Sequence, residues 1–354
     1  MTSGDAAADP DAGAAEAEVL TIAEGFSPDV ALDASGTAYL AWYGTEPSTN
    51  TLQFCRLPRG ATTCERRLAI PALGTTLTRP FVIVDGATVR VVSHRYGLSD
   101  GPFEAVYLFS SADRGDTWSG GTVVGTVPWN DAMVGPGAAV SLVTSAFSEG
   151  TVYERVPLGG SPAPTTRAVL SADRPYGGTV GLLDPVTPIV AYADGAGDAQ
   201  IRRVSGAGEP NDVASWAAPV PIGHAEYMHM AKAPAGLFLG ARSAEGTFVV
   251  RKFDGTTFGP PVNVPEGTGE LPQAHLTSDP AGRLHAVWPR IDADGIRVYH
   301  ATSDDGAAWQ TRRVTTSREE IRGMRVAAST DHAGVAAWDT GPTTKTIALV
   351  RIAE

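Results

Sequence analysis

Residues 274–316 read AHLTSDPAGRLHAVWPRIDADGIRVYHATSDDGAAWQTRRVTT. Ala274 to Ser278 is an extended run that ends in the turn Asp279-Pro280-Ala281-Gly282. Arg283 to Trp288 is a second run with alternating apolar residues, and Arg297 to Ser303 is a third. Asp305-Gly306 breaks the chain again, and Trp309 to Thr315 is a fourth. Alternation at period two, punctuated by Gly, Asp and Pro, is the pattern of an antiparallel meander. The same order recurs elsewhere. Asp29 to Gly36 is followed by Ala38 to Trp42, His229 to Gly236 by Leu237 to Ala241, and Arg325 to Gly334 by Val335 to Trp338.

The fourth runs set the count. They centre near Leu20, Leu68, Val124, Val169, Val220, Val262 and Val314, roughly 50 residues apart. Leu20 opens the series as a lone fourth strand, while residues 321–354 supply three strands without a fourth. Pairing these two remnants closes a ring and removes exposed sheet edges. The sequence is therefore read as all-β: a single seven-bladed β-propeller over 19–354, closed by its N-terminal strand. Six blades is the alternative if the weakly matching stretch 130–170 is irregular.

Composition narrows the function. Apolar residues make up 43% of the 354, enough for a core, and the 40 glycines and 26 prolines demand many turns. A net charge of −12 excludes a nucleic-acid binder, which needs a basic face. It equally excludes a polybasic membrane surface, and no apolar run is long enough to span a bilayer. A monomer is expected. Residues 1–18 read as a disordered Ala/Asp/Gly-rich tail, of the kind left once an export signal or lipid anchor has been removed. Cys55 and Cys64 flank a turn containing Pro58 and Gly60. A disulfide there places the chain in an oxidising, extracellular or cell-surface setting.

Two turns carry a sharper signature. Ser111-Ala-Asp113-Arg-Gly115-Asp-Thr-Trp118 fits S-x-D-x-G-x-T-W, and Ser303-Asp-Asp305-Gly306-Ala-Ala-Trp309 is a shortened form. The aspartate accepts backbone N–H bonds, the glycine takes a positive φ, and the tryptophan packs into the blade. These turns resemble the BNR/Asp-box repeats of sialidase-like propellers. The resemblance implies a structural role for Ser111, Asp113, Gly115, Trp118, Ser303, Asp305, Gly306 and Trp309, on the face away from the ligand. It also implies a function among the glycosidases, lectins, sorting receptors and assembly factors that share the repeat. Sialidases add an arginine triad, a tyrosine nucleophile with its glutamate, and an Arg-Ile-Pro-like motif. The nearest stretch here is Arg79-Pro80-Phe81, one residue short.

The expected ligand site is the channel mouth opposite those turns. His229 and His275 each stand five residues before a Pro-Ala-Gly turn, and Asp29 and Arg325 fall at the same register. These four should face the axis. Two histidines and an aspartate could hold a divalent metal or could hydrogen-bond one another; the latter is adopted, with no metal and no cofactor. Arg95, Arg242 and Arg290 follow second strands on the same face, where guanidinium groups suit a carboxylate. Tyr96 and Tyr227 complete the set. Tyr227 and Glu226 point to opposite faces of a regular strand and could act together only across a bulge. The tryptophans Trp42, Trp288 and Trp338 are read as blade packing rather than sugar platforms. The chain is thus expected to bind a glycan or protein ligand at the mouth; glycoside hydrolysis there and a purely structural scaffold are the alternatives.

Overall fold

The computed structural model describes residues 16–45, 51–70, 80–96, 104–125, 131–135, 139–146, 150–159, 167–172, 177–184, 187–193, 196–206, 208–265, 273–292, 295–317, 319–329, 334–341 and 345–352. Their strands form seven four-stranded antiparallel sheets, each one propeller blade. Blade 1 runs through Phe26–Leu32, Ala38–Tyr43, Leu52–Leu57 and Arg66–Ala69, from the axis outward. Blade 2 is Phe81–Asp85, Thr88–Tyr96, Glu104–Ser111 and Thr122–Gly125. Blade 3 is Asp131–Gly135, Ala139–Ala146, Gly150–Pro157 and Ala168–Ser171. Blade 4 is Gly178–Leu182, Pro188–Ala193, Asp198–Arg203 and Val220–His224. Blade 5 is Glu226–Ala233, Gly236–Arg242, Phe248–Lys252 and Val262–Asn263. Blade 6 is Leu284–Asp292 and Gly295–Ser303 between His275–Ser278 and Gln310–Ser317.

Blade 7 is made from both ends of the chain. Ile321–Ala328, Gly334–Thr340 and Thr346–Ile352 supply three strands, and Val19–Glu24 is the fourth. Val19 lies opposite Val350, and Leu20 opposite Leu349. The third blade, whose pattern is weakest in the sequence, is present, so the ring has seven blades rather than six. Glu16 and Ala17 extend the N-terminal strand backwards onto blade 6. Ala17 N–H donates to the Val314 carbonyl at 2.9 Å, and Glu16 meets Arg313 at 3.5 Å. Residues 1–15 lie outside the described residues.

The core sits between blades. Leu20, Ile22, Trp42 and Leu349 pack where blade 7 meets blade 1, and Phe238, Phe248 and Trp288 where blade 5 meets blade 6. Trp42, Trp288 and Trp338 are fully buried, which makes them packing residues. The disulfide between Cys55 and Cys64 forms, with Cα atoms 5.6 Å apart.

The turns between third and fourth strands in blades 2, 5 and 6 lie on one face. In blade 2, Asp113 accepts N–H and O–H bonds from Thr117 at 2.8 and 2.6 Å. Ser111 Oγ accepts the Gly115 N–H at 2.7 Å, and Trp118 Nε1 donates to the Gly115 carbonyl. These bonds hold the Asp113 carboxyl well below the usual carboxylate range. Blade 6 repeats the network through Asp305, Ser303, Gly306 and Trp309. Gly115 and Gly306 have φ of 92° and 77°, and a Cβ on either would run into Phe54 or Phe238 of the preceding blade. Blade 5 holds a related turn that keeps only the aspartate and glycine. Asp254 accepts from Thr256 and Thr257, Gly255 has φ of 104°, and Phe258 stands where the tryptophan would.

Candidate functional site

The innermost strands place one residue per blade at a common register beside the axis. Asp29, Thr179, His229, His275 and Arg325 occupy it in blades 1, 4, 5, 6 and 7. Three of them tie neighbouring blades together in the same way. Asp29 Oδ2 accepts the Val82 N–H at 2.7 Å, Thr179 Oγ1 accepts from Met230 at 3.1 Å, and His275 Nδ1 accepts from Val326 at 3.2 Å. Each acceptor serves the next blade round, joining blade 1 to 2, 4 to 5 and 6 to 7. Thr179 is absent from the sequence reading because Asp184-Pro185, after its strand, lacks the Pro-Ala-Gly turn that marks the other blades.

The ring is not uniform in exposure. Asp29 and Arg325 are 5% and 7% exposed and face each other, with Nε to Oδ1 at 3.7 Å. They close the junction between blades 7 and 1. His229 and His275 are half-buried, their rings edge to face at 4.6 Å between centroids. Among the described residues, no group of three or more His, Cys, Asp or Glu is arranged to hold a metal ion.

Three inner strands carry a bulge just before the axial residue, at Phe26/Asp29, Glu226/His229 and Arg322/Arg325. The residue two before the axial one has positive φ in each: Ser27 at 53°, Tyr227 at 49° and Gly323 at 61°. Positive φ suits glycine and strains the other two. At Tyr227 the bulge interrupts the alternation that would set it opposite to Glu226. Glu226 is held at the mouth end of blade 5 by an arginine and an imidazole. Arg242 Nη1 stands 3.3 Å from Oε2, and His224 Nε2 stands 3.6 Å from Oε1. His224, at the end of blade 4, is a second residue the sequence reading missed.

The arginines of the mouth are held blade by blade. Arg242 pairs with Glu226, while Arg290 lies over the Tyr299 ring at 5.0 Å. The side chains of Arg95 and Tyr96 lie outside the described residues, as does Arg79. Just before Arg95, His94 is 1% exposed, and burial pushes its imidazole down to about 4, so it is neutral near neutral pH.

No protein family and no curated protein matches this sequence. Solved structures do resemble it in shape. An ulvan lyase of polysaccharide lyase family PL25 aligns with a TM-score of 0.63 at 12% identity, over 95% of each chain. The likeness is one of fold. An α-L-arabinanase of Penicillium chrysogenum complexed with arabinobiose aligns at 0.54 and 12% identity, over 96% of this chain and 98% of that one. A Trypanosoma rangeli sialidase aligns at 0.51 and 12%, over 94% of this chain but 55% of its own length. The structural neighbours thus include sialidases and other propeller enzymes that act on carbohydrates.

Proposed function

We propose that the chain is an exported, Asp-box propeller of the sialidase-like kind that binds an acidic glycan at its channel mouth. One observation carries the reading. At the mouth end of blade 5, Glu226 is fixed between Arg242 and His224, within the same strand as the half-buried His229, whose ring meets His275 of blade 6. Guanidinium and imidazole groups recognise a sugar carboxylate, and the fixed Glu226 accepts from hydroxyls. The matching turns at Asp113, Asp305 and Asp254 support the Asp-box assignment, and the disulfide fits an oxidising compartment. A protein ligand at the same mouth is the variant of this reading without sugar.

Cleavage of the bound glycan is the second reading, favoured by the strained backbone of Tyr227 beside Glu226. A glycan array paired with a panel of chromogenic glycosides and uronate polymers tests both. Binding of acidic glycans that is weakened in Arg242→Ala and His229→Ala is the expected result. Affinity and stoichiometry unchanged in both variants would remove the mouth site. Turnover abolished by Tyr227→Phe supports cleavage.

A further inference from the structure

Blade 6 buries a chain of three polar side chains near the face that carries the Asp113 and Asp305 turns. Asp279 closes its first turn, with Oδ1 accepting the Arg283 N–H at 2.9 Å and Oδ2 3.3 Å from His285 Nε2. His285 Nδ1 is 3.1 Å from His300 Nε2. His285 is 0%, His300 3% and Asp279 4% exposed. The Asp279 carboxylate accepts from His285 Nε2–H, and one hydrogen is shared between His285 Nδ1 and His300 Nε2. Burial, with His285 and Arg312 nearby, holds His300 well below the usual imidazole range.

The chain of side chains ends at a cavity. His300 lines a space of about 430 Å³ together with Arg283, Thr302, Gln310, Thr311 and Arg312. A second space of about 210 Å³ shares Arg283, Thr302 and Gln310 and runs past Asp304 and Asp305 to Trp309. The shared residues make one groove. It has two guanidinium groups and an imidazole at one end and a half-buried indole at the other. Arg283 Nε is fixed at 2.9 Å by the exposed Asp304.

Blade 2 supplies an internal comparison, because its crevice lies at the same register. Leu108 pairs with Thr122 as His300 pairs with Arg312, and Val89 pairs with Ser111 as Leu284 pairs with Ser303. Thr88, Leu108 and Thr122 therefore stand where blade 6 has Arg283, His300 and Arg312. That crevice, of about 370 Å³, has Arg90 as the single charged residue among the described residues of its lining. By the same register Asp85 and Arg90 stand at the Asp279 and His285 positions, so the difference lies at Arg283, His300 and Arg312, where the fold accepts uncharged residues. Burying an imidazole at the leucine position costs stability unless something is gained.

We propose that the groove of blade 6 is a second binding site, for an acidic sugar unit whose charged group meets Arg283 and Arg312 while its ring lies toward Trp309. The cavity exceeds a bare oxyanion and falls in the size range of small-ligand pockets. Gln310, Thr302, Thr311 and His300 offer partners for hydroxyls, and an indole is a platform for the apolar face of a sugar. The site is independent of the channel mouth.

Calorimetric titration of the full chain tests it, with a uronate tetrasaccharide, its carboxyl-reduced neutral form, and sodium sulfate alone. The wild-type protein should bind the acidic tetrasaccharide about tenfold or more tightly than the neutral form, with affinity falling as salt rises. Arg283→Thr with Arg312→Thr installs the blade 2 residues at exposed or half-exposed positions. It should weaken this binding about tenfold while the thermal midpoint holds. In the Arg242→Ala background, where the mouth no longer contributes, the acidic tetrasaccharide should still bind and the Arg283→Thr, Arg312→Thr change should still weaken it about tenfold, which separates this groove from the mouth. Trp309→Phe, which the blade 5 turn already tolerates at Phe258, should weaken the tetrasaccharide but not sodium sulfate. Equal affinity of the double variant and the wild type would overturn the proposal, as would no binding of the acidic form. Sodium sulfate binding as tightly as the tetrasaccharide would overturn the sugar assignment.

Discussion

At the scale of single residues, buried charge and buried imidazole set the terms. Arg325 and Asp29 join blades 7 and 1 while nearly out of water. Removing one partner of a buried pair leaves the other uncompensated, at a cost of about 3–5 kcal/mol. Urea denaturation of Arg325→Ala should show a loss of that size. Asp29→Asn combined with Arg325→Met should lose less, because the carboxamide oxygen still accepts the Val82 N–H and no charge is stranded. A loss in the double variant as large as in Arg325→Ala would assign the effect to packing instead. The histidines give a pH dependence with a definite sign. His94 is depressed to about 4 from an ordinary value near 6.5, and His300 is displaced in the same direction. Below 6.5 the unfolded chain takes up protons that the folded chain refuses. Stability should therefore fall as pH drops from about 6.5 toward about 4, by up to ~1.4 kcal/mol per pH unit for each such histidine. Denaturation midpoints at pH 7 and pH 5 check the slope, and His94→Leu should flatten it.

At the scale of elements, closure and turns decide how much of the sequence is legible. The seven outer strands are marked by spacing, and all seven form, from Val19–Glu24 to Gln310–Ser317. Turn chemistry is less readable. The Asp254 turn escapes the sequence pattern because Lys252 replaces the serine and Phe258 the tryptophan, although aspartate and glycine keep the geometry. In blade 1, the disulfide spans the corresponding connection. In the loop-entropy model a bridge over so short a loop adds about 2–3 kcal/mol. The Cys55→Ser, Cys64→Ser variant should unfold at correspondingly lower urea concentration. The N-terminal strand is worth more. Removing residues 1–15 should leave the thermal midpoint in place. Removing 1–24 takes away Leu20 and Ile22 and exposes the edge of Thr346–Ile352, so the midpoint should drop sharply. Equal midpoints for the two truncations would contradict closure by this strand.

At the scale of the whole molecule, the architecture was legible in the sequence and the site only in part. The repeat fixes which residues share a register, so Asp29, His229, His275 and Arg325 could be grouped without coordinates. Exposure could not, because it depends on which side chain of the next blade leans over each position. Asp29 and Arg325 thus turn inward to each other, while His229 and His275 stay partly open. The buried Asp279–His285–His300 chain was hidden for a similar reason: its members are spread over the first turn and two strands of one blade and meet only on folding. The seam in blade 7 has a mechanical meaning. Val19 and Val350 sit side by side in antiparallel strands, so the chain arrives and leaves at the same end of the seam. Tension between those two points loads the hydrogen bonds one after another, as in tearing along a perforation, rather than all together. The closed ring should melt as one unit, but a pull on its two ends should open it at low force, beginning at Val19.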